Sequence, residues 1–84
     1  MEKSSKYSIL VVDDEVSNII TLSDMLDPEY DISALRDSRD VLETVISDMP
    51  DVILLDIIMP EMNGFEVLGE LKKVKETRDI PTFL

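Results

Sequence analysis

The sequence predicts an α/β fold, a doubly wound parallel sheet with helices on both faces. Short apolar runs alternate with stretches in which apolar residues recur every three or four positions, in the order βαβαβαβ. The apolar runs are continuous, which is typical of strands buried inside a parallel sheet. Because the last element is only the start of a fourth strand, the expected sheet is incomplete.

The first strand is predicted over residues 7–12 (YSILVV), a β-branched run that ends in acids. A helix follows, and Asp14 is a plausible N-cap for it. Pro28 closes this helix, since proline disrupts a helix interior. The apolar residues assigned to its buried stripe are Val16, Ile19, Ile20, Leu22, Met25 and Leu26.

The second strand is predicted over residues 30–35 (YDISAL), where alternation with period two favours a position nearer the sheet edge. The second helix can be capped by Ser38 or Asp37 and ends at Pro50. Its apolar stripe consists of Val41, Leu42, Val45, Ile46 and Met49.

Residues 51–57 contain the third and most apolar strand, and residues 58–63 form a loop. Asn63 followed by Glu66 resembles a capping box and predicts the start of the third helix. The fourth strand begins within residues 80–84 (IPTFL), with Pro81 at its entry. The apolar stripe of the third helix is predicted to be Phe65, Leu68, Leu71 and Val74.

Composition excludes several classes of function. The 84 residues make one domain at most, and an apolar share of 44% is enough for a folded core. The absence of Cys and His excludes disulfides, His-based catalysis, and Cys or His metal ligands. A net charge of −11 argues against binding nucleic acid. The apolar runs are too short to span a membrane, and MEKSSKYS lacks a signal-peptide core, so we expect a cytoplasmic protein.

Three acids stand beside apolar strands, Asp13 and Asp14 after the first and Asp56 after the third. If these strands are neighbours, the carboxylates converge at one rim of the sheet, where such folds bind ligands. Two carboxylates about 5 Å apart repel by roughly 3 kcal/mol, so a cation is expected there. Oxygen-only ligands favour Mg²⁺, and Mg²⁺ favours phosphoryl transfer, with a carboxylate as a possible nucleophile.

Each acid also has an ordinary structural interpretation. Asp14 alone is more simply a helix cap, Asp13 a solvated strand end and Asp56 a turn residue. Met59 and Met62, in the loop after Asp56, are interpreted as packing residues. The case for a metal site therefore depends on all three acids meeting.

Three stretches resemble the receiver domain of two-component response regulators. They are ILVVDDE (9–15), DIIMPEMNG (56–64), which fits the pattern D-x-x-M-P-x-M-x-G, and more weakly IPTFL (80–84). The resemblance implies a flavodoxin-like sheet of order 2-1-3-4-5. It also implies that Asp56 accepts a phosphoryl group from a phosphohistidine on a sensor histidine kinase or phosphotransfer protein.

The resemblance further implies a Mg²⁺ site. Asp13 and Asp14 hold the ion with Asp56, one of them through water, and the backbone carbonyl of Ile58 is a further ligand. Pro60 shapes the loop by fixing φ, and Gly64 does so by allowing a tight turn into the third helix. The first helix, from near Glu15, forms part of the surface that docks the histidine-bearing partner.

On this resemblance, residues 1–84 are the N-terminal part of a single receiver domain. The family's switch Ser/Thr is expected just after Leu84, and its Lys at the end of a fifth strand. Thr82 is too early for the switch, and Lys72, Lys73 and Lys75 lie on the third helix. We therefore expect a phosphoacceptor signalling domain, with autocatalytic phosphotransfer only in the intact domain. The 84-residue chain alone is expected to self-associate through its exposed strand edge.

Two alternative functions are considered. A Mg²⁺-dependent phosphohydrolase with an Asp nucleophile commonly carries D-x-D on its first strand, whereas Asp13 and Asp14 are adjacent. A receiver-like interaction module would keep the acids without being phosphorylated. Labelling by an acyl phosphate distinguishes this module from a phosphoacceptor.

Overall fold

The computed structural model describes residues 6–84, in which strands and helices alternate along the chain as predicted. Residues 1–5, most of the segment searched for a signal peptide, lie outside this range. No helix within the described range has the length and apolar character needed to cross a bilayer. The elements are β1 (Ser8–Val12), α1 (Val16–Leu26), β2 (Asp31–Leu35), a 3₁₀ turn (Ser38–Asp40), α2 (Val41–Asp48), β3 (Val52–Leu55), α3 (Gly64–Lys73) and β4 (Thr82–Phe83).

The strands form one parallel sheet in the order β2-β1-β3-β4, which confirms the predicted fold class. β1 lies at the centre, with Val12 opposite Leu35 of β2 on one side and Leu55 of β3 on the other. β2 is an edge strand, as its alternating sequence predicts. The carboxyl ends of β1 and β3 are therefore side by side.

The main hydrophobic core lies between one face of the sheet and helices α2 and α3. Met59 belongs to this core at 6% exposure and Met62 packs against it, so the interpretation of both as packing residues is confirmed. The buried cluster consists of Leu10, Val12, Val41, Val45, Ile53, Leu55, Met59, Val67 and Leu71. It fixes the two strands whose ends carry the acids.

Helix α1 packs against β1 and β2, and the prediction of its buried stripe is partly wrong. No residue of α1 is fully buried. Its half-buried apolar side chains are Ile19, Leu22 and Leu26, and its exposed ones are Val16, Ile20 and Met25. The helix carries apolar residues around more of its circumference than one sheet face can contact, so periodicity alone overestimates the buried stripe.

The ends of the helices correct three further predictions. Asp14 is not the N-cap of α1, because Glu15 holds that position without a side-chain hydrogen bond. Asp37 does cap, but it caps the 3₁₀ turn, where its side chain accepts from the backbone N–H of Arg39 at 2.9 Å. Met49 follows the last turn of α2 with a φ of 48°, so it is a left-handed C-cap and does not belong to the buried stripe.

Helix α3 begins at the predicted capping box. Asn63 accepts from the N–H of Glu66 at 2.9 Å, and the Glu66 carboxylate accepts from the N–H of Asn63 at 3.1 Å. The predicted stripe is partly right, because Leu71 is buried and Leu68 packs against the core, whereas Phe65 is 61% exposed and the unpredicted Val67 is buried. The helix ends at Lys73, and therefore Val74 and Lys75 lie beyond it.

Candidate functional site

The three predicted acids converge at the carboxyl ends of β1 and β3. One carboxylate oxygen from each of Asp13, Asp14 and Asp56 lies within 4.8 Å of the others. The backbone places them, because Asp13 N donates to Leu35 O at 3.0 Å and Asp56 N donates to Val12 O at 2.9 Å. These bonds continue the pairing of β1 with β2 and with β3 by one residue beyond the strands. Both acids therefore lie at the same edge of the sheet.

Asp13 is the most deeply placed acid, at 8% exposure. Both of its oxygens accept hydrogen bonds, Oδ1 from the N–H of Glu15 at 2.9 Å and Oδ2 from Nδ2 of Asn18 at 3.1 Å. These bonds fix the orientation of the carboxylate and supply donors to a buried charge. Asn18 was missed in the sequence analysis. Its position in the first turn of α1, shortly after the acid pair, could have indicated that it orients Asp13.

Asp14 and Asp56 are half-buried, and few hydrogen bonds restrain their carboxylates. Asp56 Oδ1 accepts from the N–H of Ile58 at a long 3.3 Å. Arg36 approaches Asp14 but donates to its backbone oxygen, at 3.4 Å. None of the ion pairs seen within residues 6–84 involves the three acids. The cluster therefore concentrates negative charge, and Asp14 and Asp56 present partly exposed carboxylates to a ligand.

The loop from Asp56 to α3 closes tightly at its base. Gly64 N donates to Ile57 O at 2.8 Å. A Cβ on Gly64 would lie 2.5 Å from Asp56 O and 2.9 Å from Ile57 Cα. Gly64 does not have a positive φ, so its own backbone conformation does not require glycine. It is needed because the backbone of Asp56 approaches it closely.

The far end of the loop is held by the 3₁₀ turn. The hydroxyl of Ser38, a buried side chain, accepts from the N–H of Met62 at 3.0 Å. Arg39 bridges Asp37, at 2.7 Å, and Glu61, at 3.8 Å. The guanidinium of Arg39 and its backbone N–H lower the pKa of the Asp37 carboxyl to about 2. Ser38 was considered only as a helix cap, since nothing in the sequence links it to a residue of the loop.

The carboxylates fit a magnesium ion. Opposite oxygen ligands of an octahedral Mg²⁺ lie about 4.2 Å apart. Small side-chain rotations from the observed limit of 4.8 Å would therefore bring the three oxygens to the spacing that Mg²⁺ requires. A groove of about 260 Å³ opens beside them, and Asp13 and Asp56 contribute to its lining. All the candidate ligands are oxygens, which is the chemistry that Mg²⁺ prefers.

A comparison with known protein families shows to which family this chain belongs. The family model described as the response regulator receiver domain matches residues 9–83. The chain belongs to the response regulator receiver domain family. The match includes the strand with the paired acids and the whole of the Asp56 loop, so the resemblance seen in the sequence is confirmed.

Curated relatives of this receiver domain are longer proteins. A probable cyclic di-GMP phosphodiesterase of Vibrio cholerae is 42% identical over 96% of this chain, which spans 18% of that protein. The response regulator PleD of Caulobacter vibrioides is 44% identical over 90% of this chain, which spans 17% of it. The match to each therefore involves less than a fifth of its length.

Solved structures show the same fold. The N-terminal domain of a response regulator receiver protein from Methanoculleus marisnigri has a TM-score of 0.87 and 38% identity, covering 93% of this chain and 64% of that one. TrrA of Thermotoga maritima, solved in complex with Mg²⁺-BeF, has a TM-score of 0.77 and 38% identity, covering 83% of this chain and 62% of that one.

Family membership establishes the general function. Receiver domains are signalling domains of two-component phosphorelays, and they take phosphoryl groups from histidine kinases. They bind Mg²⁺ at an acidic pocket, and this chain has a cluster of three acids at the carboxyl ends of β1 and β3. The matched family is a signalling domain, and some relatives are enzymes through other domains.

Proposed function

We propose that Asp56 is the phosphoacceptor of this receiver domain and that Asp13, Asp14, Asp56 and the backbone carbonyl of Ile58 hold Mg²⁺. The observation that carries the proposal is the convergence of the three carboxylates within 4.8 Å at the ends of adjacent strands. The donor is proposed to be a phosphohistidine on a sensor histidine kinase or phosphotransfer protein.

In the proposed reaction, a carboxylate oxygen of Asp56 attacks the phosphorus. An O–P bond forms as the N–P bond of the phosphohistidine breaks, and the departing imidazole nitrogen keeps the bonding electron pair. Asp56 suits this role because its side chain has a single weak hydrogen bond within residues 6–84, from Ile58 N at 3.3 Å. A carboxylate held by few donors keeps lone pairs for attack.

The other acids have different proposed tasks. Bound Mg²⁺ would neutralise charge on the carboxylates and on the phosphoryl oxygens. Asp13, held by Glu15 and Asn18, provides a fixed anionic ligand. Asp14 adds a more mobile one, and one of this pair acts through water. Autocatalytic transfer from small donors is proposed only for the intact domain.

Acyl-phosphate labelling tests the assignment of Asp56. With Mg²⁺ and acetyl phosphate, we expect intact-mass spectrometry of the full-length protein to show one added phosphoryl group. The shift should vanish in Asp56→Asn, since an amide is not a comparable nucleophile, and persist in Asp79→Asn, an exposed acid far along the chain. Labelling that survives in Asp56→Asn would place the phosphoryl group elsewhere. No labelling at all would favour the receiver-like interaction module.

The phosphohydrolase alternative is weaker. Family membership favours the receiver, and the adjacent acids Asp13 and Asp14 lack the D-x-D spacing. Steady turnover of a small phosphate ester by the purified protein would revive it. We also propose a cytoplasmic location, since the histidine kinases that phosphorylate receivers use ATP.

We propose that residues 1–84 form the N-terminal part of one receiver domain and that this piece alone self-associates. Phe83 and Leu84, 60% and 47% exposed, lie at the β4 edge beside half-buried Leu54. An edge strand next to exposed apolar side chains is prone to pair with another copy. Sedimentation of the isolated 84 residues should show a mass that rises with concentration. A monomer at all concentrations, with one cooperative melt, would contradict this.

A further inference from the structure

We propose that Ser38 is a positioning residue for the metal site, acting through the loop 57–63 that carries Ile58. The proposal rests on the proposed function, in which the Ile58 carbonyl is a ligand of Mg²⁺. Ser38 lies on another element, the 3₁₀ turn after β2, and is not itself one of the proposed ligands.

A buried hydrogen bond carries the argument. Ser38 is 4% exposed, and its Oγ accepts from the N–H of Met62 at 3.0 Å across 24 residues of sequence. A partly buried N–H that loses its acceptor is left with poor access to water, so the backbone moves to find another partner. The bond therefore restrains Met62, directly before the cap of α3, and with it the end of the loop.

A second contact links the same two segments. Arg39 donates to Asp37 through Nε at 3.0 Å and Nη2 at 2.7 Å, and its Nη1 lies 3.8 Å from the Glu61 carboxylate. Exposed ion pairs contribute little to stability, but this one holds the 3₁₀ turn in shape next to Ser38. Residues 37–39 thus contact residues 61–62 by two independent routes.

Packing alone does not fix this part of the loop. A cavity of about 120 Å³ lies at the junction, lined by Ser38, Arg39, Leu42, Met62, Val67 and Glu70. The Ile58 side chain is 82% exposed and provides no anchor. The path of the backbone at Ile58 is consequently set by buried Met59, by the long 3.3 Å bond from Ile58 N to Asp56 Oδ1, and by the hydrogen bonds at the two ends, from Gly64 to Ile57 and from Met62 to Ser38.

The test measures Mg²⁺ affinity by calorimetry in the full-length protein, at a temperature where circular dichroism shows each variant to be folded. Ser38→Ala should weaken Mg²⁺ binding about tenfold, as is usual when a residue that orients a metal ligand is removed. It should also speed amide hydrogen exchange at Met62 in metal-free protein. Ser38→Thr keeps the hydroxyl, and the adjoining cavity has room for its added methyl group. The Mg²⁺ affinity and the amide exchange rate at Met62 should therefore both be close to those of the wild type.

The matched control is Thr77→Val, which removes another buried hydroxyl. Thr77 Oγ1 donates to Leu71 O at 2.6 Å and lies 3.4 Å from Val74 O, both outside the loop, so Mg²⁺ affinity should not change although stability falls. Wild-type affinity in Ser38→Ala would overturn the role of Ser38 and leave the proposed function intact. Absence of Mg²⁺ binding by the wild-type protein would overturn both. If Ser38→Ala does not fold, Ser38→Cys replaces it, because a thiol is a weak acceptor of similar size.

Discussion

Gly64→Ala should lower the free energy of unfolding of this receiver domain by about 3 kcal/mol, near the upper end for overpacked sites. We expect no other substitution that adds a single methyl group to destabilise the domain more. The added Cβ would lie 2.5 Å from Asp56 O and 2.9 Å from Ile57 Cα, both backbone atoms that cannot rotate away. The peptide that joins Asp56 to Ile57 must shift instead. Thermal unfolding of the full-length protein should show a midpoint lowered by several degrees for each kcal/mol lost.

Gly69→Ala is the internal control. Gly69 lies in α3, and the position that an added methyl group would take has no neighbouring element within 4 Å. Alanine should therefore raise stability by about 0.5–1 kcal/mol through helix propensity. The same substitution in the same helix should therefore lower stability at Gly64 and raise it at Gly69. Equal effects in both variants would show that the close approach at Gly64 is not what requires glycine there.

Gly64 also shows how far sequence reasoning reaches. The Pro- and Gly-punctuated loop identified the residue, and the expected cause was a tight turn into the third helix. The structure has no positive-φ glycine within residues 6–84, and the cause is a contact with a strand end several residues earlier. A sequence shows that a glycine is present, but only the folded backbone shows what approaches it.

Interactions encoded over a few residues were predicted well. The Asn63–Glu66 capping box follows from spacing alone and is present with both hydrogen bonds. The adjacency of β1 and β3 was left conditional by the pattern of apolar strands and was implied by the family resemblance; it is present and brings Asp56 to the acid pair. These features depend on local chemistry or on general rules of chain topology.

Features that depend on tertiary contacts between elements were not predicted. Val16 and Ile20 belong to the apolar pattern of α1 but stay exposed, because burial depends on the area that the sheet offers. Ser38 contacts Met62 across 24 residues, and no periodicity records such a pair. Asn18 orients Asp13 from a helix whose position was itself only inferred.

Asp14→Asn should stabilise the metal-free protein and weaken its response to Mg²⁺. Two unit charges 4.8 Å apart repel by about 3 kcal/mol at an effective dielectric near 20. Water screens the half-buried acids, so removing one charge should raise the free energy of unfolding by about 1–2 kcal/mol. Asp14 is the acid to change, since its carboxylate accepts no hydrogen bond within residues 6–84, whereas Asp13 accepts two.

Urea unfolding with and without Mg²⁺ measures both effects. Wild type should gain stability as Mg²⁺ rises, because the ion binds the folded state, and the variant should gain less because it has lost a proposed ligand. Glu76→Gln, an exposed acid in the turn after α3, changes net charge equally and should alter neither quantity appreciably. If Asp14→Asn instead lowered metal-free stability, repulsion among the three carboxylates would not be a cost of this site, and the physical reason for expecting a cation there would fail.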